Sequence, residues 1–249
     1  MSYVVNSLSD LIDYTRRTYL RGQYFQWYRG HLCDTWELLP SVYRGNFLRN
    51  ESQMSYDFYM RASTILDNKP QKNDFAGWFS LMQHYGLPTR LLDWSKSLLI
   101  AAYFATYNYQ SMPNIDGCIW ILRPGRLNEV YGLGNIIPPL DSEVISGLLE
   151  PVFYPSREKN ESKNKIYATY PVEANVRINA QHSAFTVHNS FNKLDDIKDS
   201  VLIDKVIIPY VKKEDILESI RFCGVSSRTV FPDLEHISKH LKEYYEKKG

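Results

Sequence analysis

Paired cysteines, a charge imbalance and a long apolar run are all missing from this chain of 249 residues. Its three cysteines, Cys33, Cys118 and Cys223, lie far apart and form no CxxC pair, which argues against a zinc site built on cysteine pairs. The formal net charge is +1, so no global attraction to nucleic acid or to an anionic membrane is expected. The most apolar run, residues 98–105, is too short to span a bilayer.

Several common catalytic fingerprints are missing as well. The chain has no GxGxxG dinucleotide-binding pattern and no Walker P-loop. His182 and His188 lack the HExxH spacing and have no carboxylate between them, so a zinc hydrolase is not expected. The odd number of cysteines and the lack of a signal-peptide pattern predict a reducing, cytoplasmic compartment. We therefore expect a cytoplasmic protein that needs no metal and carries no strong nucleic-acid signal.

Apolar residues at helical spacing dominate the first part of the chain. They predict helices at 7–22, 51–66, 74–86 and 95–109. A short turn at 87–94 is expected to join the last two helices into a helix–turn–helix, the hydrophobic centre of the sequence. Residues 24–30 are rich in aromatics and end in a glycine, and they predict a strand.

β-Branched and aromatic residues become frequent after about residue 115. They predict strands at 117–123, 165–172 and 201–210, and amphipathic helices follow at 212–224 and 233–249. Clusters of Pro, Gly and Asn across 124–165 predict a long irregular segment, which we interpret as a loop over a site. Helices thus precede strands. This order predicts an α+β fold, a single domain over 1–249 with a helical N-terminal half packed on a mainly antiparallel sheet.

A first candidate for chemistry is the run Tyr28-Arg29-Gly30-His31, at the end of the aromatic strand. An arginine beside a glycine at a strand end can reach a phosphate or carboxylate of a ligand with a bidentate fork. The structural alternative is that Arg29 pairs with a buried Asp or Glu. The sequence alone leaves both interpretations open.

A second candidate is QHYGLPTRLLDW, residues 83–94, where five polar side chains surround a tight Gly–Leu–Pro turn. Polar groups forced together in an apolar neighbourhood must satisfy one another. The favoured interpretation is therefore an Arg90–Asp93 ion pair that holds the two helices together. The functional alternative is that His84 or Arg90 faces a pocket.

A third candidate is QHSAFTVHNS, residues 181–190. Ser183 and Thr186 flank Phe185, and small hydroxyl residues beside an aromatic can hold and stack a planar ring. The alternative is a polar strand edge. Further on, Asp233 is the expected N-cap of the last helix, and Glu235 lies in its first turn, where the helix dipole favours a carboxylate.

These motifs together resemble the FRG domain, a family named for a Phe-Arg-Gly motif near its start. The resemblance rests on Tyr28-Arg29-Gly30, TWELLPSVYR, LMQHYGLPTRLLDWSKSLLIAAYFA, QHSAFTVH and GVSSRTVFPDLEHI, and it extends over about residues 20–240. Tyr28 stands where the family name has Phe, which is a conservative aromatic exchange. FRG domains are found in bacteria and phages and are largely of unknown function, so the resemblance implies a toxin or phage-defence setting without naming a reaction.

The order of the motifs is also similar to the Arg-Ser-Glu class of ADP-ribosyltransferases. In that class the Arg holds NAD, the Ser-bearing strand shapes the nicotinamide pocket and the Glu promotes transfer. The resemblance implies catalytic roles for Arg29, Ser183 and Glu235, and binding roles for Tyr28, His84, Arg90, Phe185 and Thr186. The chain departs from the class at SAFT, where the hydroxyl spacing differs, and at Glu235, which opens a helix; Asp233 is then the alternative carboxylate.

The expected function is accordingly an NAD-utilising, ADP-ribosyltransferase-like enzyme with NAD as substrate, no required cofactor and an unknown acceptor. The alternative is a non-catalytic module that binds a nucleotide or a partner protein. An enzyme needs a carboxylate within reach of the bound ribose, whereas a binding module does not. Arg29, His84, Ser183 and an acidic side chain around one cleft would favour the enzyme; Arg29 and Arg90 both held in buried ion pairs would oppose it.

Overall fold

A seven-stranded sheet forms the centre of the protein in a computed structural model, which describes residues 3–22, 25–172, 176–197 and 202–246. The strands are β1 (Tyr3–Val4), β2 (Trp27–His31), β3 (Leu91–Ser95), β4 (Gly117–Leu122), β5 (Lys165–Thr169), β6 (Ser183–Asn189) and β7 (Leu202–Ile208). Their order in the sheet is β1-β7-β4-β2-β3-β6-β5. β1 and β7 are parallel and every other neighbouring pair is antiparallel, so the predicted mainly antiparallel sheet is confirmed.

The helices surround this sheet and, together with it, confirm the predicted α+β class. They are α1 (Leu8–Gly22), α2 (Glu51–Ile65), α3 (Phe75–His84), α4 (Leu98–Thr106), α5 (Pro124–Val130), α6 (Glu143–Phe153), α7 (Val176–Ala180), α8 (Lys213–Phe222), α9 (Ser227–Val230) and α10 (Leu234–Glu246). Among the described residues, no helix combines the length and the apolar character that crossing a membrane requires.

Two groups of helices cover the same face of the sheet. The first group, α1, α4 and α8, packs on β2, β4 and β7 through Tyr28, Ile119 and Val206. The second group, α2, α3 and α6, packs on β3, β5 and β6 through Leu91 and Phe185. A third apolar cluster lies on the opposite face, where the side chains of the same strands alternate to the other side. A gap thus remains between α3 and α4, above the place where β2 and β3 meet.

The contact between β2 and β3 is the weakest strand pairing at the centre of the sheet. Tyr28 and Ser95 form the single register pair between them, whereas β2 keeps five pairs with β4 and β3 keeps five with β6. Beyond Tyr28 and Ser95 the two strands diverge. We call this opening the β2–β3 seam, and it positions the site described below.

Two predictions of local structure were wrong. Residues 87–94 are not a turn between two helices, because Leu91–Ser95 form the strand β3, which pairs with β2 and β6 inside the sheet. Residues 124–165 are not a long irregular loop, because they contain the helices α5 and α6. Pro124 opens α5 at its first position, where the missing N–H costs nothing, so the proline begins a helix here instead of breaking one. Helices therefore do not simply precede strands: β2 and β3 lie in the first half of the chain.

Candidate functional site

A cleft of about 250 Å³ opens along the β2–β3 seam. Its walls come from β2, β3 and β6 in the sheet and from α3, α4 and α7 above it. Gly30 allows α4 to lie directly on β2, since a Cβ at this position would be 1.8 Å from the carbonyl oxygen of Ala101. The Arg-Gly pair thus places a helix and a cation at the same point of the seam.

Arg29 fills part of the seam with its guanidinium group. Its Nη1 donates to the backbone oxygen of Asp93 at 2.6 Å, so the side chain bridges the two strands where the backbone ladder ends. Its Nε donates to Nε2 of His31 at 2.9 Å. The other three N–H groups of the guanidinium have no hydrogen-bond partner within the described ranges. Arg29 lines the cleft, where these donors can meet an anion.

His31 holds the guanidinium of Arg29 in place as a neutral ring. The ring is buried, and its Nδ1 lies 3.2 Å from the backbone oxygen of Trp36, which accepts the Nδ1 proton and leaves Nε2 free to accept from Arg29. Burial lowers the pKa of His31 to about 2, and the nearby charges of Arg29 and Arg44 act in the same direction. A protonated His31 could not accept the hydrogen bond from Arg29, because both of its ring nitrogens would carry a proton. Its positive charge would also lie beside the charge of Arg29.

Arg29 stays charged at neutral pH. Burial lowers the pKa of its guanidinium to about 10, and the carboxylate of Asp93 opposes this shift. No carboxylate oxygen of the described residues lies within ion-pair distance of Arg29. A desolvated, unpaired guanidinium beside a cleft is a strong site for a phosphate or carboxylate.

Asp93 supplies the carboxylate on the other side of the seam. Its side chain is exposed and lines the cleft, and Oδ2 accepts a hydrogen bond from Nε2 of Gln83 at 2.7 Å. The hydroxyl of Thr89 donates to the amide oxygen of Gln83, which orients that amide toward Asp93. Oδ1 of Asp93 has no hydrogen-bond partner within the described chain, so it can accept a hydroxyl of a ligand.

Small hydroxyl groups and aromatic rings complete the cleft. Ser183 and Ser95 are register partners on β6 and β3, and both line it. The Ser95 hydroxyl donates to the backbone oxygen of Gln181 at 2.7 Å. Tyr28 and Phe185 supply buried apolar surface on the same face of the sheet. The cleft therefore offers a cation, a carboxylate, hydroxyls and flat apolar walls.

Arg177 of α7 brings a second cation to the cleft. Its guanidinium carbon lies 5.4 Å from the centre of the Phe231 ring, and it forms no ion pair with the described carboxylates. His84 lies on the same rim, and its pKa is lowered by burial and then by Arg177, both of which favour the neutral imidazole. Asp233 is close enough to interact electrostatically with both side chains: its carboxylate opposes the lowering of the His84 pKa, and Arg177 lowers the pKa of Asp233.

The structure brings together five of the eight residues that the sequence predicts for the site. Tyr28, Arg29, His84, Ser183 and Phe185 all line the cleft. Glu235 lies in the first turn of α10, and its side chain falls outside the described residues. The predicted capping role of Asp233 is confirmed, because its Oδ1 accepts from the backbone N–H of His236 at 2.9 Å.

Arg90 lies away from the cleft, in a buried ion pair. Its Nη2 and Nε donate to the two carboxylate oxygens of Glu51 at 2.6 and 2.9 Å, and Nη1 donates to the backbone oxygen of Leu148 at 2.7 Å. Both the predicted ligand contact of Arg90 and the predicted Arg90–Asp93 pair are therefore corrected. The reason is the strand β3: Asp93 alternates toward the cleft, and the partner of Arg90 comes from α2, which is distant in sequence.

Thr186 also lies outside the cleft. Alternation along β6 turns Ser183 and Phe185 toward the cleft and Thr186 toward the opposite face. There its hydroxyl is fully buried between Nε1 of Trp94 at 3.1 Å and Nε2 of His188 at 2.9 Å. The expected contact of Thr186 with a ligand is corrected for this reason.

The sequence prediction missed Gln83, Asp93, Gln181 and Arg177 as cleft residues. Asp93 was assigned to an ion pair because its strand was interpreted as a turn. Period-two alternation over residues 91–95 was the signal that could have placed it on the cleft face. Arg177 gives no such signal, because the short helix α7 has no distinctive pattern.

Fold and site define a class: an α+β protein with an anion-accepting cleft at a seam in a mainly antiparallel sheet. Residues 24–113 match the family model of the FRG domain. The match spans β2 to just beyond α4 and includes Arg29, His84 and Asp93. The resemblance expected for residues 114–240 stays a prediction. No curated protein and no solved structure matches the chain.

Proposed function

We propose that this protein is an NAD-utilising, ADP-ribosyltransferase-like enzyme whose substrate binds in the cleft at the β2–β3 seam. One observation carries the proposal: Arg29, whose guanidinium has no ion-pair partner among the described residues, and Asp93, whose carboxylate is exposed, line the same cleft from the two strands of the seam. An anionic dinucleotide needs the first group, and cleavage at its ribose needs the second.

The chemical character of the cleft supports a nucleotide ligand. Arg29 and Arg177 attract phosphate, Ser95 and Ser183 suit sugar hydroxyls, and the apolar walls suit a planar base. Its volume of about 250 Å³ lies just below the usual range for small-molecule pockets, roughly 300–1,000 Å³. We therefore place the nicotinamide riboside half of NAD in this cleft.

The proposed reaction breaks the bond between C1′ of the ribose and the nicotinamide nitrogen. The bonding electron pair leaves with nicotinamide, which becomes neutral, and positive charge builds on the ribose as it does in glycoside cleavage. The Asp93 carboxylate stabilises this charge through the ribose hydroxyls. The acceptor then forms a bond to C1′ and releases a proton to solvent. Electrostatics and positioning supply the rate, with Arg29 as the phosphate anchor.

The first test is NAD turnover by wild-type protein, Arg29→Ala and Asp93→Asn, with labelled NAD in the presence and absence of a cell extract. Arg29→Ala should weaken NAD binding by tenfold or more, because charge-assisted contacts contribute about 1.5–3 kcal/mol each. Asp93→Asn should bind NAD nearly as wild type but release nicotinamide about 100-fold more slowly, as expected for loss of a transition-state contact. Label on an extract component identifies a transferase, and free ADP-ribose identifies hydrolysis.

Arg61→Ala is the matched control, because Arg61 is exposed on α2 and lines neither cleft. It should behave as wild type in binding and turnover. Turnover that survives in both Arg29→Ala and Asp93→Asn would reject the proposed site, and the absence of any NAD binding by folded wild type would reject the proposed substrate.

A second candidate function is a nucleotide- or protein-binding module without chemistry. The hydrogen bond from Gln83 to Asp93 favours this alternative, because it fixes the Asp93 carboxylate equally well for binding a ligand hydroxyl without chemistry. Wild-type protein that binds NAD through Arg29 without releasing nicotinamide would establish this alternative. A cytoplasmic location, inferred from the cysteine pattern, and a toxin or phage-defence setting, implied by the family resemblance, form part of the proposal in either case.

A further inference from the structure

A second cleft adjoins the first one. Its volume is about 380 Å³, and it shares Ser183 and Ile178 with the cleft at the seam. It lies at the end of β3, where Lys96 follows the strand, and is closed on the far side by Tyr170 and Val172. Two adjoining clefts with a common wall can hold two halves of one extended ligand.

Lys96 gives the second cleft its charge. Among the described residues, no aspartate or glutamate lines this cleft, and no carboxylate lies within ion-pair distance of Lys96. Its Nζ lies 5.6 Å from the centre of the Tyr170 ring, a cation–π distance that holds the ammonium at the cleft. The walls formed by Pro171, Val172 and Ile178 are apolar. One free cation and an apolar wall beside an aromatic ring suit a phosphate attached to a planar base.

The volume of the cleft at the seam also favours a ligand that extends into the second cleft. The cleft at the seam, about 250 Å³, has room for one nucleoside and cannot enclose a whole dinucleotide. A whole dinucleotide therefore extends beyond it, and the adjoining cleft across Ser183 carries Lys96 and has no carboxylate among its described lining residues. The phosphate of a mononucleotide would be attracted by Arg29 in the cleft at the seam and by Lys96 in the second cleft.

We propose that the second cleft is a subsite for an adenosine monophosphate group, with Lys96 as the phosphate ligand, so that the full site recognises a dinucleotide across both clefts. This inference rests on the proposed function, because the seam cleft must hold the other half. It assigns Arg29 and Lys96 to different halves of the same substrate.

The test measures binding of AMP, nicotinamide mononucleotide and NAD by calorimetry to wild type, Lys96→Met and Arg29→Ala. Lys96→Met keeps the length of the side chain and removes its charge. It should weaken AMP and NAD about tenfold, the effect of losing one exposed charge-assisted contact, and leave nicotinamide mononucleotide unchanged. Arg29→Ala should show the reverse selectivity, weakening nicotinamide mononucleotide and NAD but not AMP. Lys96→Arg should restore AMP binding.

Lys72→Met is the control for general loss of positive charge, because Lys72 is exposed and lies outside both clefts. It should bind all three nucleotides as wild type. If Lys96→Met leaves AMP and NAD unchanged while Arg29→Ala still weakens NAD, the second subsite is rejected and the proposed function stands. Equal losses for AMP and nicotinamide mononucleotide in Lys96→Met also reject it. If wild type binds AMP through Lys96 but not NAD, the subsite stands and the proposed function falls; if wild type binds none of the three, both fall.

Discussion

Arg29 and Arg90 show how differently two arginines of one sequence can be used. Arg90 uses four of its five guanidinium N–H groups on Glu51, Leu148 and Asn189 in the interior, away from the cleft. Arg29 uses two of its N–H groups to hold its side chain in position, and the other three are available to a ligand. Sequence reasoning could not separate them, because the carboxylate partner of Arg90 is supplied by a distant helix.

The buried pair predicts a large effect at Arg90. Arg90→Met should lower the free energy of unfolding by about 3–5 kcal/mol, because the carboxylate of Glu51 is left buried without a partner. Urea denaturation of the purified variant measures this loss. The double variant Glu51→Met/Arg90→Met should recover part of it, since both charges are then removed. A single variant as stable as wild type would show that the ion pair does not hold α2 in place.

At the scale of single elements, the sequence predicted those segments whose pattern is long and unmixed. The strands β4 and β7 and the amphipathic helices α1 and α8 were predicted, because their side-chain patterns repeat over many residues. β3 was missed because it is short and sits between two apolar helices, where its two leucines look like helix flanks. Locating Asp93 in the cleft depends on this strand, so the missed element also hid a site residue.

Gly30 predicts an element-scale effect. Gly30→Ala should destabilise the fold by about 3 kcal/mol or more, because the added Cβ would meet the backbone of α4 at 1.8 Å and a helix backbone cannot give way as a side chain can. Thermal and urea denaturation measure the change.

Gly147 in α6 provides the matched control for Gly30→Ala. A Cβ on Gly147 would contact the Ser162 hydroxyl at 3.5 Å, an ordinary van der Waals distance. Gly147→Ala should therefore stabilise the protein by about 0.4–1 kcal/mol, through the reduced freedom of the unfolded chain and better helix propensity. Equal effects of the two substitutions would contradict the close packing of α4 on β2.

At the scale of the whole molecule, two neutral histidines lie inside the fold on the side of the sheet opposite α3 and α4. Burial lowers the pKa of His31 to about 2 and that of His188 to about 3, with the charge of Arg29 adding to both shifts. The unfolded chain binds a proton at each histidine below its ordinary pKa of about 6.5, while the folded chain does not. The free energy of unfolding therefore falls as the pH drops below about 6.5.

His188→Leu tests this dependence. Between pH 7.5 and pH 5.0 the wild type should lose about 2 kcal/mol more stability than the variant, because one buried histidine accounts for about 1.4 kcal/mol per pH unit below its unfolded pKa. Urea denaturation at both pH values gives the difference. The variant also removes the hydrogen bond between Nε2 of His188 and the buried Thr186 hydroxyl, so the stability of each protein at pH 5.0 is compared with its own stability at pH 7.5. A pH dependence identical to that of wild type would mean that His188 becomes protonated within the fold.

The β2–β3 seam has a consequence for the mechanics of the sheet. A single register pair and the side chain of Arg29 join one half-sheet, β1-β7-β4-β2, to the other, β3-β6-β5. Amides that face the seam lack strand partners and should exchange their hydrogens with solvent quickly. A ligand that contacts Arg29 on one side and Asp93 on the other acts as a staple between the halves. Binding of this ligand would slow amide hydrogen exchange along β2 and β3. Filling one small cleft would therefore make the whole sheet more rigid.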